Sequence, residues 1–140
     1  MEYINNLDDI QSHKFIFKNP IKNQNIKYIY YYKLLYSDID VHFKYILIPI
    51  KFSPHNKNII CEKIRNLEHL ILTSLNQHVN KEIKISLYPE LINKDILYGA
   101  NQYQTLHLKI SGVWEDKEQI GLVYKLYYAT STVKFSNMIC

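Results

Sequence analysis

The sequence predicts an α+β domain in which an antiparallel sheet curls into a small barrel or sandwich, with one main amphipathic helix inserted between strands. Three observations carry that reading. Period-two stretches occupy both ends of the chain, one stretch of helical period interrupts them at 53–80, and 140 residues contain no internal repeat or Pro/Gly/Ser-rich linker. A single domain, 1–140, follows, long enough to bury a core.

KFIFK (14–18) alternates and reads as a short strand, and NPIKNQN (19–25) is a loop built from turn residues. Two β-prone runs, 26–36 and 41–52, are joined by SDID, whose Ser and Asp favour a hairpin. The period then changes. Ile60, Ile64, Leu67, Ile71 and Leu75 recur at three- and four-residue spacing, with a helix start at Ser53-Pro54 or Asn56 and a stop at Asn80. KEIKISLY (81–88) returns to alternation and predicts a strand ended by Pro89. PELINKDILYG (89–99) reads as a short helix or an irregular loop. TLHLKISGVW (105–114) and IGLVYKLYYA (120–129) form a second hairpin around EDKEQ, and TVKFS (132–136) adds an edge strand.

Composition bounds the function classes. The chain is 47% hydrophobic and 21% charged, which suits a folded domain, and its 13 tyrosines serve either core or surface. Ile, Lys, Asn and Tyr dominate while Arg65 is the only arginine, a bias typical of AT-rich codons. Net charge is +4, and Lys14, Lys18, Lys22, Lys27, Lys33, Lys44, Lys51 and Lys57 face only Asp38 and Asp40 across 13–57. Such a basic half attracts polyanions, or else its lysines blunt sheet edges. Cys61 and Cys140 lack metal-type spacing and read as reduced thiols. The polar start MEYINNLDDI is no signal peptide, and ILIPI (46–50) is too short to span a membrane. The expectation is a soluble intracellular chain with no membrane partner.

No catalytic constellation emerges. Gly99, Gly112 and Gly121 form neither GxGxxG nor a P-loop, which argues against a nucleotide cofactor. Glu68-His69 lacks the second histidine of HExxH, so His69 reads as solvent-facing rather than a zinc ligand. Asp38 and Asp40 suit turn chemistry better than a shared cation, and Glu115, Asp116 and Glu118 read as a solvated cluster in a turn. Cys61 reads as a small core or boundary residue. The expectation is a non-enzyme without cofactor or metal.

Strand periodicity sorts the aromatics. In KYIYYYKLLY (27–36), Tyr28, Tyr30, Tyr32, Leu34 and Tyr36 share the inward face, since each ring buried stabilises by roughly 1.5–3 kcal/mol. Lys27, Tyr31 and Lys33 then face outward. The same test puts Val41, Phe43, Tyr45 and Leu47 inside and His42 and Lys44 outside. It places His107 and Lys109 outside on one late strand, and Lys125 and Tyr127 outside on the other. Lysines interleaved with rings are what a single-stranded nucleic-acid platform requires, although lysine and tyrosine also occupy ordinary solvent faces. Lys27, Tyr31, Lys33, His42, Lys44, His107, Lys109, Lys125 and Tyr127 are the candidate nucleic-acid-binding residues.

LHLKISGVWEDKEQIGLVYKLYY (106–128) resembles a recurrent segment in proteins of the nucleo-cytoplasmic large DNA viruses. Its skeleton is a strand ending in Ser111, Gly112 and Trp114, a charged turn, then Ile120, Gly121, Leu122, Tyr124 and Lys125. A Tyr-rich strand, a strand ending in Pro49, a helix with NLEHLI, and SLYPEL precede it in the same order as in that group. Some of those proteins are similar to phage-type single-stranded-DNA-binding proteins. The resemblance implies an OB-like barrel and sequence-nonspecific binding of single-stranded DNA in genome replication or repair, in the viral factory of the host cytoplasm or in the virion. Its alternative is a virion structural protein whose tyrosines contact capsid or core proteins, or further copies of itself as a homo-oligomer. The chain departs from the group in being shorter and in ending KFSNMIC, where phage-type binders carry an acidic tail. Recruitment of replication partners through such a tail is not expected.

Overall fold

A computed structural model describes residues 7–22, 29–38, 41–93 and 104–130. Eight strands make one curled sheet: β1 (Phe15–Phe17), β2 (Ile21–Lys22), β3 (Tyr30–Asp38), β4 (Val41–Phe43), β5 (Ile46–Ile50), β6 (Glu82–Ile83), β7 (Gln104–Glu115) and β8 (Gln119–Thr130). The helices are α1 (Lys57–Val79) and the short α2 (Leu87–Ile92). The main path runs β1-β3-β7-β8-β6, with β2 and β4 also on β3 and β5 on β7. The result is an α+β half-barrel with one main helix.

The sheet is mixed rather than antiparallel throughout, because β6 runs parallel to β8. The reason lies in α1. Its 23 residues carry the chain roughly 34 Å back along the sheet, so β6 starts at the same end as β5. β5 and β6 are thereby the two parallel strands of a helical crossover that spans β7 and β8.

α1 begins where an Asn56 start predicts. The Asn56 carboxamide accepts from the Ser53 N–H (2.6 Å) and donates to the Lys51 carbonyl (3.2 Å), fixing the chain's entry. Asn80 ends the helix in the left-handed region (φ 60°, ψ 58°), a conformation asparagine tolerates better than most residues. Asn76 locks that exit by bonding both the N–H and the carbonyl of Lys81.

The core lies between α1 and one face of the sheet. Cys61, Ile64, Leu67, Ile71, Leu72 and Leu75 meet Leu34 and Tyr36 of β3, Leu106, Leu108 and Ile110 of β7, and Ile120 and Leu122 of β8. Those sheet residues sit on the faces that alternation predicts, and Cys61 is core. On β3 the inward set weakens toward its start: Tyr30, the first residue of the strand, is 37% exposed. For β5 the assignment of faces is only partly right: Leu47 is fully buried as expected, but it is not part of the cluster that packs with α1. Ile46, Ile48 and Ile50 enter the core instead, because a bend at Lys44–Tyr45 divides the expected single strand and shifts its parity.

Three other expectations are corrected. Ile21–Lys22, read as loop, pairs with Tyr31 and Tyr30 of β3. KEIKISLY is strand only at Glu82–Ile83, and its end starts α2. There the Glu68 carboxylate, fully buried on α1, accepts the N–H groups of Ser86 and Leu87 (both 3.0 Å) and Tyr88 (3.1 Å). A carboxylate from another element thus satisfies the free donors of a helix start. Glu115, read as a solvated turn residue, is instead the buried end of β7. Its carboxylate accepts the Tyr32 hydroxyl (2.7 Å) and pairs with Lys81 (3.1 Å), whose ammonium also donates to the Asp116 and Lys117 carbonyls. The turn itself is closed by Asp116, which accepts from Glu118 and Gln119 N–H groups; these bonds hold its carboxyl below the usual range. The predicted strand 132–136 lies outside the described residues.

Glu68→Ala should destabilise the fold by about 2–4 kcal/mol, since three donors lose an anionic acceptor together, whereas Glu68→Gln keeps one acceptor oxygen and should lose about half as much. Urea midpoints at unchanged slope measure both. A loss for Glu68→Ala within about 0.5 kcal/mol of zero, the range of neutral surface changes, would contradict the role given to Glu68.

Burial first, then the hydrogen bond to Glu115, pushes the Tyr32 phenol up to about 12. The unfolded chain releases that proton near the ordinary value of about 10. The folded state therefore holds it more tightly, so the contribution is intact below pH 10 and is lost as pH rises from 10 toward 12. Wild type should be more stable than Tyr32→Phe near pH 9, and the gap should close by about pH 11 to 12. A gap constant across that range would show that the phenol's proton is not linked to folding.

Candidate nucleic-acid interface

The face of the sheet turned away from α1 carries the candidate residues that the strands bring together. Register places Tyr31 and Lys33 on β3, His107 and Lys109 on β7, and Lys125 and Tyr127 on β8 all on this outer side. His107 lies opposite Tyr127, and their rings stack with centroids 5.4 Å apart and planes 15° from parallel. Lys109 lies directly opposite Lys125. The Lys109 ammonium sits 4.3 Å from the centre of the Tyr45 ring, and that of Lys125 sits 5.8 Å from the Tyr127 ring.

Across this face the order is therefore ring, cation, cation, with a second ring one pleat along β8. Among the described residues the ion pairs include Lys63–Asp8, Arg65–Glu62 and Lys81–Glu115, and no ion pair is seen for Lys33, Lys109 or Lys125. Lys125 is exposed and Lys109 half-buried. Two like charges directly opposed across a ladder repel, and each is steadied here by the negative face of a neighbouring ring.

Other candidates stand differently. Lys27 lies outside the described residues. His42 is in β4, in register with Ser37 of β3, and its side chain also lies outside them. Lys44 is exposed in the bend between β4 and β5. His107 is on the expected face but only 3% exposed, and its Nδ1 lies 3.1 Å from the Thr105 carbonyl oxygen. It therefore backs Tyr127 rather than meeting solvent.

Two rings on this side escape simple alternation. Tyr45, expected inside, reaches Lys109 because the bend before β5 moves it to the outer face. Trp114 faces outward because a bulge between Ile110 and Gly112 reverses the parity of β7. The only sequence signal for this reversal was Gly112 within a strand.

Both strand glycines serve these rings. A Cβ on Gly121 would lie 2.4–2.8 Å from atoms of the Trp114 indole. One on Gly112 would lie 2.4 Å from the Tyr32 carbonyl oxygen and 2.7 Å from the Tyr31 ring. The Tyr31 ring thus crosses Gly112, and its hydroxyl donates to the Ser111 carbonyl (3.0 Å), fixing the ring along the sheet. Among the described residues no three His, Cys, Asp or Glu side chains group as metal ligands, and no helix is long and apolar enough to cross a membrane.

Gly112→Ala should destabilise by about 2 kcal/mol or more, the upper range for forced overpacking, because the obstacle is a backbone oxygen. Gly121→Ala should cost less, since a side chain can shift. Thermal and urea unfolding of both variants compare them, and equal losses would show that the close approach of β3 to Gly112 is not the tighter constraint.

No protein-family model, curated protein or solved structure matches the chain.

Proposed function

We propose that this chain binds single-stranded DNA without sequence preference, laying the strand over the outer face of an OB-like half-barrel. The observation that carries the reading is the cross-strand pair Lys109–Lys125, flanked by Tyr45 and Tyr127 and lacking any carboxylate partner among the described residues. Cations held beside rings complement both things an unpaired strand offers: phosphates to neutralise and base faces to stack. Tyr31 and Lys33 extend the same face onto β3. Binding here needs no covalent step. If the chain is of the kind that 106–128 resembles, such binding would serve genome replication or repair.

Trp114, the only tryptophan, lies on this face and offers an intrinsic reporter. Titration with a dT oligonucleotide should change its fluorescence, and labelled dT, dC and mixed oligonucleotides should bind with similar affinity. Affinity should fall with salt, the logarithmic slope gaining about −0.7 for each phosphate neutralised. No binding tighter than about 10⁻⁴ M at low salt would overturn the reading, because even non-specific association usually reaches that level.

A further inference from the structure

We infer that Lys109 and Lys125 act as a single-phosphate clamp, both ammonium groups closing on one backbone phosphate while Tyr45 and Tyr127 take the neighbouring bases. The inference rests on the single-strand reading above and adds a stoichiometry to it. Directly opposed residues of an antiparallel pair have Cβ atoms about 5 Å apart, so the two lysine stems rise from almost one point of the sheet. Each side chain is long enough to swing from its ring toward the gap between them. A phosphate carries two non-bridging oxygens, so it can accept one charge-assisted hydrogen bond from each lysine.

The surroundings favour one shared anion over two separate ones. Leu47 lies in register with Lys109 on the other side, fully buried, so no further cation extends the row through β5 at that position. The rings lie on opposite flanks of the pair: Tyr45 comes from the β5 side of Lys109, and Tyr127 stands on β8 one pleat beyond Lys125. A phosphodiester placed between the lysines thus has a ring toward each of its two nucleosides. His107, stacked under Tyr127, keeps that ring in place.

The test is a cycle of Lys109→Gln, Lys125→Gln and the double variant, with Lys109→Arg as the charge-preserving control. Binding of a labelled dT oligonucleotide of roughly 16 nucleotides is measured against salt. A shared phosphate predicts that the double variant's logarithmic slope is shallower than wild type's by about 0.7, the value for one phosphate, with fold losses that do not multiply. Lys109→Arg should keep the wild-type slope. A double-variant change of about 1.4, with losses that multiply, would assign each lysine its own phosphate and overturn the clamp. Unchanged slopes in all variants would remove both lysines from the interface, overturning the clamp and the placement of the strand on this face, while wild-type binding would leave single-strand binding itself standing. Failure of wild type to bind would overturn the reading and the clamp together.

Discussion

The approach of the Tyr32 carbonyl to Gly112, closer than any side chain would allow, is the constraint on which the rest of the architecture turns. β7 runs beside β8 for its whole length but changes its other partner midway. It pairs with β5 through Leu106–Ile110 and with β3 through Gly112–Glu115. The bulge at Ser111 marks the change, and a bulge adds bend and twist where the sheet needs to curl. The same extra residue reverses which side chains face the helix. Val113 and Glu115 turn inward after it, while Trp114 turns outward. Without that reversal Glu115 would face away from the core, and Tyr32 and Lys81 would have no shared carboxylate at the mouth of the half-barrel.

That carboxylate and Glu68 play parallel parts at different places. Glu115 joins β3, β7 and the segment leaving α1, and Glu68 joins α1 to the start of α2. From α2, Glu90 accepts the Tyr124 hydroxyl at 2.8 Å, returning the tie to β8. Burying a carboxylate is costly unless every neighbouring donor is aimed at it, and here backbone N–H groups, a phenol and an ammonium are so aimed. These polar ties fix which elements meet, whereas the apolar core supplies most of the driving force. A core of Ile and Leu alone tolerates many arrangements. Two anchored carboxylates reduce that freedom.

What was legible in the sequence was periodic, and what was not depended on residues distant along the chain. α1 and the β7–β8 hairpin could be read because each repeats its pattern long enough to define a face. ILIPI has no alternation, so nothing within it reveals that Ile46 rather than Leu47 enters the core. KEIKISLY alternates well, yet Glu68, lying 18 to 20 residues before its last three positions, converts its end into a helix start. Glu115 reads as part of a charged turn because Lys81 and Tyr32 are remote in sequence. On the outer face, Lys109, Lys125 and Tyr127 were readable by the same period-two rule. Tyr45 was not, since a two-residue bend decides its side. His107 shows the rule's limit: alternation assigns a face, and burial on that face depends on what stacks above it.

The outer face differs from the inner one in how its charges are held. A sheet selected only for stability has little reason to oppose two lysines across a ladder, because threonine or a lysine–glutamate pair there would remove the repulsion. The repulsion is tolerable because each ammonium rests near a ring, and cation–π contacts at partly exposed sites contribute about 0.5–1 kcal/mol apiece. The rings therefore have two uses. In the free protein each ring holds one ammonium, and on the proposed single-strand reading the same rings would meet the bases of a bound strand. On the proposed single-strand reading, the packing that makes the unliganded sheet tolerable is also what would meet a polyanion with flat bases, so the lysine pair and its rings form one feature rather than four surface residues.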